Sequence, residues 1–371
     1  MFAQNPKKIV KLIKTHYERK IPLFIYGSYG IGKSELVKTT AKEIAKKKNK
    51  ELVFWDELNE KEKQMVEKNP KSFFVLIDQR LSNADPTDVK GIPNFNDETK
   101  REHLNWVIDR YLKFMTNPDA DGIMFFDEMN QAPPSVLNGF FKIFHDRKVN
   151  DEKLNDNVSM IACGNLLEDK AHIHDLPNPL RDRMSEVELV FNSDDWYEWA
   201  MKNNIDTRLI VFLKFKPSYL NQKVKDRNMK DSTPRGIAQT SILIKDVKDE
   251  ETTPLVSARL GEAFGREMSS FLKLNKKLNI SDLMRNPKKV QEINETDLKF
   301  SVVSGVVEHY KKDKKKTIEA CSQIAEYMQV EFAVLLLKLM KATNESFFKQ
   351  NIIKTKNWNK LATEFGKYLL D

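Results

Sequence analysis

Gly27-Ser28-Tyr29-Gly30-Ile31-Gly32-Lys33-Ser34 is the stretch that decides the fold. It fits G-x-x-x-x-G-K-[ST] without a mismatch, and its context fits too. The apolar run Leu23 to Tyr26 before it reads as a buried strand, and Glu35 to Lys47 behind it carries apolar residues at helical spacing. Glycines let such a chain turn sharply, so that successive backbone N–H groups point inward at a phosphate chain. The N-terminus of the following helix adds partial positive charge. Lys33 is placed to hold β- and γ-phosphates, and the Ser34 hydroxyl to ligate Mg²⁺. ATP and Mg²⁺ are therefore the expected cofactors, cradled by residues 27–34.

Ninety residues on, Ile123-Met124-Phe125-Phe126 is an apolar strand that ends in Asp127-Glu128. Beside the phosphate loop it would bring both carboxylates to the edge where open α/β sheets bind ligands. Asp127 then suits the Mg²⁺ hydration shell, and Glu128 suits polarisation of an attacking water. A further strand, Ser159 to Ala162, leads through Cys163 and Gly164 to Asn165. If that strand lies between the other two, the Asn165 amide reaches the γ-phosphate or the water. Cys163 reads as a small core residue.

The first half alternates such runs (Leu23–Tyr26, Phe73–Ile77, Ile123–Phe126, Ser159–Ala162, Val187–Phe191) with helical segments that include His103 to Met115. This pattern predicts an α/β domain with a parallel sheet covered on both faces. After Phe191 the chain reads as helical: Asp195–Lys202, Ile205–Lys214, Arg235–Val247, Val256–Leu272, Phe300–Tyr310 and Thr317–Lys341. A boundary is expected near Ser193.

Composition narrows the class. With 40% hydrophobic and 31% charged residues, the 371-residue chain has room for two domain cores under a strongly charged surface. No apolar run is long enough to span a bilayer, because Phe332 to Met340 is short and interrupted by Lys338. The opening Met-Phe-Ala-Gln-Asn-Pro-Lys-Lys shows no signal-peptide core, and Cys163 and Cys321 are the only cysteines, so a cytoplasmic location is expected. The net charge of +8 invites a nucleic-acid partner. Much of the excess is lysine, in runs such as Lys46-Lys47-Lys48, which usually mark solvated faces, and no docking motif accompanies it. Nucleic acid is thus a possible partner and not the favoured one.

Beyond these motifs the chain resembles the MoxR-type, dynein-related branch of the AAA+ ATPases. The resemblance is carried by Ile77 to Pro93, by Asn130-Gln131-Ala132, by Gly164-Asn165 and by Pro179-Leu180-Arg181-Asp182-Arg183-Met184. In the helical part it is carried by Asp194 to Ala200 and by Ser232-Thr233-Pro234-Arg235. It implies a P-loop AAA+ ATPase core over 1–192, with a pore-facing helix-2 insertion near 91–105. A helical lid over 193–283 and a helical C-terminal extension over 284–371 would follow. It further implies a homo-oligomeric, hexameric ring that hydrolyses ATP and remodels a protein partner in a chaperone-like way, often beside a von Willebrand factor A-type domain protein. Asn165 matches the sensor. Arg183 is the first choice for an arginine finger donated to the next subunit, and Arg181 the second. Arg235 matches the second sensor arginine of the lid. The bland reading of Arg181 and Arg183 is surface pairing with Glu186 and Asp182; Trp196 and Trp199 read as packing.

Three other classes share part of this pattern. A nucleic-acid motor or loader would grip DNA through the insertion, but residues 97–103 are of mixed charge. A small-molecule kinase needs the phosphate loop but has no use for Asn165 or the arginines. A GTP switch would need an Asn-Lys-x-Asp element, and the sequence shows none.

Overall fold

The apolar runs become strands because each is buried on both faces, which is how parallel sheets read in sequence. The computed structural model describes residues 2–94, 106–169, 173–224 and 229–369. It divides into two compact units, residues 1–192 and 193–371.

In the first unit seven strands form one sheet: β1 (Ala3–Gln4), β2 (Leu23–Tyr26), β3 (Glu51–Phe54), β4 (Phe73–Arg80), β5 (Gly122–Asp127), β6 (Val158–Gly164) and β7 (Ser185–Leu189). Their spatial order is β1-β7-β2-β6-β5-β4-β3, and every neighbouring pair is parallel. The phosphate-loop strand β2 therefore sits between β7 and β6, and β6 between β2 and the acidic strand β5. Alternate side chains feed two cores. Ile25, Phe74, Leu76, Ile123 and Phe125 join Ile9, Ile13, Val37 and Ala41 on one face. Phe24, Val75, Met124, Phe126 and Ala162 join Leu112, Phe140 and Phe144 on the other. The first group comes from helices α1 (Pro6–Arg19) and α2 (Lys33–Lys47). Short helices α3 (Glu60–Lys68), α4 (Pro86–Lys90) and α5 (Arg110–Met115) precede the helix α6 (Pro134–Asp146) and a single turn α7 (Asn178–Arg181).

The apolar spacing over His103 to Met115 predicts one helix, but Trp106–Val107 is extended and pairs antiparallel with Ile92–Pro93. The helix starts only at Arg110, where the Asp109 carboxylate accepts the Tyr111 N–H at 3.1 Å. Most of the insertion expected near 91–105 lies outside the described residues.

The second unit is helical: α8 (Ser193–Lys202), α9 (Thr207–Phe215), α10 (Pro234–Leu243), α11 (Asp249–Leu260), α12 (Glu262–Lys277), α13 (Ile280–Arg285), α14 (Thr296–Lys312), α15 (Lys314–Tyr327) and α16 (Val330–Thr343), followed by Glu345–Ile352 and Trp358–Leu369. Two expected helices each divide in two. Val256 to Leu272 breaks at Gly261, whose φ of 95° no other residue adopts without strain. Thr317 to Lys341 breaks between Tyr327 and Val330. Residues on both sides of 283 share this unit, since α14 packs on α9, α12 and α16. Arg208 ties α9 to its neighbours, bonding Asp206 at 2.7 Å, Asp249 at 3.0 Å and the carbonyls of Ile244 and Val247. Among the described residues no helix is long and apolar enough to cross a membrane.

Candidate active site

All parallel strands of the sheet end on one edge, and the sequence places its polar residues there. Gly27, Ser28, Tyr29, Gly30 and Ile31 form the loop between β2 and α2, Gly32 caps α2, and Lys33 and Ser34 open its first turn. Gly30 and Gly32 take φ of 72° and 102°, the left-handed values the loop needs to aim its N–H groups inward.

Lys33 is only 7% exposed, so its ammonium must be paired. It donates to the carbonyls of Gly27 at 2.6 Å and Ser28 at 3.1 Å, and to Asn165 Oδ1 at 2.9 Å. Ser34 Oγ donates to Asp127 Oδ2 at 2.7 Å, and the other Asp127 oxygen accepts the Glu128 N–H at 3.0 Å. A hydroxyl and a carboxylate side by side are hard oxygen donors of the kind Mg²⁺ takes, so this pair fits the ion. Glu128 follows β5 in a left-handed conformation, φ 55°, an unusual position for a residue with a side chain. Its carboxylate accepts a 2.7 Å bond from Ser82 Oγ, at the turn behind β4.

Asn165 is fixed by a neighbour. Asn130, 2% exposed, donates through Nδ2 to the Asn165 carbonyl at 2.8 Å and accepts the Asn165 N–H through Oδ1 at 3.0 Å. Gly164 is required beside it, because a Cβ there would lie 2.5 Å from Asn130 Oδ1 and from the Phe24 ring. Burial pushes the Cys163 thiol well up, which suits a packing residue and not a nucleophile.

The structure thus brings together Lys33, Ser34, Asp127, Glu128 and Asn165. It does not bring Arg181 or Arg183 to this edge. Both precede β7, whose Ser185 pairs with Leu23 at the start of β2. Four residues of strand separate that level from Gly27, roughly 13 Å. Arg181 forms a two-pronged bond to Glu186, at 2.8 and 2.7 Å, and Glu186 also accepts from the Tyr26 hydroxyl at 3.2 Å. The Arg181 hydrogen bonds hold the Glu186 carboxyl below the usual carboxylate range. Arg183 pairs with Asp182 and meets His145 Nε2 at 3.1 Å. Within the chain both arginines therefore make the pairs that the bland reading names. Arg235 is exposed in the first turn of α10, in the second unit.

Ser82, His145 and the clamping role of Asn130 were not visible in sequence. Asn130 stands beside the acids as a motif residue, but only strand adjacency shows what it holds.

The family description "KAP family P-loop domain" matches residues 2–89, which contain the phosphate loop and β1 to β4. That is a different P-loop family from the MoxR-type group that the motifs resemble. No curated protein matches the sequence. Among solved structures the chain is similar to a RuvB mutant of Thermotoga maritima, at 13% identity and a TM-score of 0.34, covering 77% of this chain and 74% of that one. It is similar to NtrX of Brucella abortus in complex with ADP, at 13% and 0.37, covering 82% and 64%. Domain III of the replication initiation protein DnaA of Thermotoga maritima follows at 14% and 0.35, covering 70% and 93%. The parallel sheet order and the phosphate loop between β2 and α2 give the first unit a P-loop α/β fold, which a helical C-terminal region follows.

Proposed function

We propose that this protein is a Mg²⁺-dependent, ATP-hydrolysing AAA+ ring ATPase of MoxR-like type that couples turnover to remodelling of a protein partner. The observation that carries the hydrolytic part is the convergence of Lys33, the Ser34–Asp127 pair, Glu128 and Asn165 at one sheet edge. Lys33 exchanges its neutral acceptors for phosphate oxygens, which are stronger partners. Ser34 and Asp127 would hold Mg²⁺, which would neutralise charge on the β- and γ-phosphates. Glu128 takes up the proton of the attacking water as general base, and Asn165 orients the water or the γ-phosphate. Transition-state charge then needs an arginine, which is worth roughly 10³–10⁵ in rate. The register that separates Arg183 from this chain's own loop favours donation to a neighbouring subunit, in a homo-oligomer. The second-sensor role of Arg235, in the second unit, rests on the resemblance alone. Remodelling of a protein rests on the MoxR resemblance.

Phosphate release from Mg-ATP tests the reading. Lys33→Ala should lose nucleotide binding. Glu128→Gln should bind ATP and turn over about 10²-fold or more slowly. Normal turnover in Glu128→Gln would refute the site. Native mass measurement with a non-hydrolysable ATP analogue should show a ring-sized species, because nucleotide at a shared interface favours assembly. A strict monomer with full activity would refute the shared site.

A further inference from the structure

The turn Leu180-Arg181-Asp182-Arg183-Met184 is anchored from below: Leu180 and Met184 are buried, and Arg181 is forked onto Glu186. Arg183 is bound by neither anchor and is half-exposed. Its bond to Asp182 ties it only to the turn it stands on. Its other contact crosses to α6, where His145 sits in the last turn. That helix is a rigid support, burying Val136, Leu137, Phe140, Ile143 and Phe144.

The direction of the contact follows from the donors. A guanidinium N–H can only donate, so His145 Nε2 accepts, and the ring carries its proton on Nδ1. Nδ1 lies 2.6 Å from Asp146 Oδ1, which takes that proton's hydrogen bond and fixes the tautomer. The ring also stacks on Phe141, one turn earlier, with centroids 5.4 Å apart and planes at 26°. Asp146 and Phe141 thus hold the ring on two sides, in the plane that meets Arg183. A guanidinium has five N–H groups, and bonds to Asp182 and His145 leave others to face outward in the planar fork that suits phosphate.

We propose that His145 is a positioning residue for Arg183: from the end of α6 it holds the guanidinium in the orientation presented to a neighbouring subunit's triphosphate. The inference rests on Arg183 being the finger. Fixing a charged donor by a rigid element matters because displacement of about 1 Å can cost 10²-fold in rate.

Steady-state ATPase kinetics and ATP binding on the full chain test this. H145F keeps the ring on Phe141 and removes the acceptor; H145A removes both. Each should lower kcat about three- to tenfold, the scale of one partly exposed charge-assisted hydrogen bond, with ATP affinity and KM unchanged. H145Q supplies an amide oxygen and should recover most of the loss. In an R183A background H145F should cost nothing further. Wild-type kcat in H145F overturns the proposal, as does an equal loss from H145F with and without Arg183. R183A is measured first: full activity in that variant removes the finger reading itself and the proposal with it, and so separates the two failures.

Discussion

Replacing Asn130 with alanine tests how far the site depends on a residue that touches no ligand. Asn130 is buried in the turn behind the acids and makes two bonds to the Asn165 backbone, 2.8 Å from its amide nitrogen and 3.0 Å to its carbonyl oxygen. Asn130→Ala leaves one buried N–H and one buried C=O unpaired, each costing about 1–3 kcal/mol. Water entering the space recovers part of this, so a loss of about 2–4 kcal/mol is expected. For a unit of this size that lowers Tm by roughly 5–15 °C in calorimetry. The kinetic effect should exceed what stability alone implies. Asn165 carries the Oδ1 that Lys33 bonds at 2.9 Å, so a shifted Asn165 misplaces both groups, and kcat should fall about 10²-fold at temperatures where the variant is folded. Asn130→Asp keeps the acceptor but sets a carboxylate oxygen against the Asn165 carbonyl, so it should be no better than alanine. A variant with wild-type kcat and a Tm within about 1 °C would refute the clamp.

Ser82→Ala removes the hydroxyl that donates to Glu128 at 2.7 Å; the carboxylate released from that bond is free to turn to the water, and basal turnover should rise about two- to fivefold without change in KM. A fall in kcat would show instead that Ser82 orients Glu128 for reaction. Arg183→Ala should keep ATP binding and lose hydrolysis, and mixing it with inactive Glu128→Gln from nucleotide-free protein should restore part of the activity, because some interfaces then pair an intact Glu128 with an intact Arg183. Absence of recovery at every ratio, with subunit exchange demonstrated, would count against donation in trans. Arg181→Ala in the same experiment should act through the Glu186 anchor, lowering stability more than turnover. Asp121 supplies a pH test at the opposite sheet edge. Burial raises its pKa, but donors from Lys48 at 2.7 Å, Tyr17 and Lys50 at 2.9 Å outweigh this and hold it below the ordinary value. A folded pKa below the unfolded one contributes stability above about pH 4 that disappears as pH falls through the folded value. Asp121→Asn should therefore have a lower Tm than wild type at neutral pH, with a gap that closes in acid; a gap independent of pH would refute the assignment.

The fold was legible where burial on both faces writes itself as an unbroken apolar run, as in β2, β5 and β6. It was not legible in β1, whose 2 residues are too few to show a period, or in β3, where Glu51 is exposed and only Val53 is buried, so that no unbroken apolar run forms. The break between α15 and α16 has no glycine or proline to mark it, and apolar spacing continues through both helices, from Ile318 to Leu337, because both face the same core. Gly261 and Asp109 were better signals: a glycine within a helical pattern and an acid before an amphipathic turn are recognised stop and start marks. At the site, Lys33, Ser34, Asp127 and Glu128 could be read because their spacing is dictated by phosphate and metal geometry. Ser82 and His145 could not, since each gains its meaning from a partner 46 or 38 residues away that only the folded chain brings near.

The partners of these groups also indicate which steps of the cycle can be separated. The acceptors of Lys33 include two loop carbonyls and an amide oxygen, and a buried ammonium gains by trading such neutral partners for charged phosphate oxygens. The Ser34 hydroxyl and the Asp127 carboxylate bond each other, an arrangement that a divalent cation with its water shell can replace without leaving either oxygen unpaired. On the proposed function, nucleotide entry would be an exchange of partners within one loop and one strand end. Glu128 stands outside that exchange. Its bond comes from Ser82 behind β4, which belongs to neither the loop nor α2, so nothing about phosphate binding alone obliges it to move. On the proposed function, binding and water activation would be carried by groups anchored to different elements, so that a change in one need not disturb the other. Loss of Lys33 should abolish affinity, whereas loss of the Glu128 charge should leave affinity intact and remove turnover.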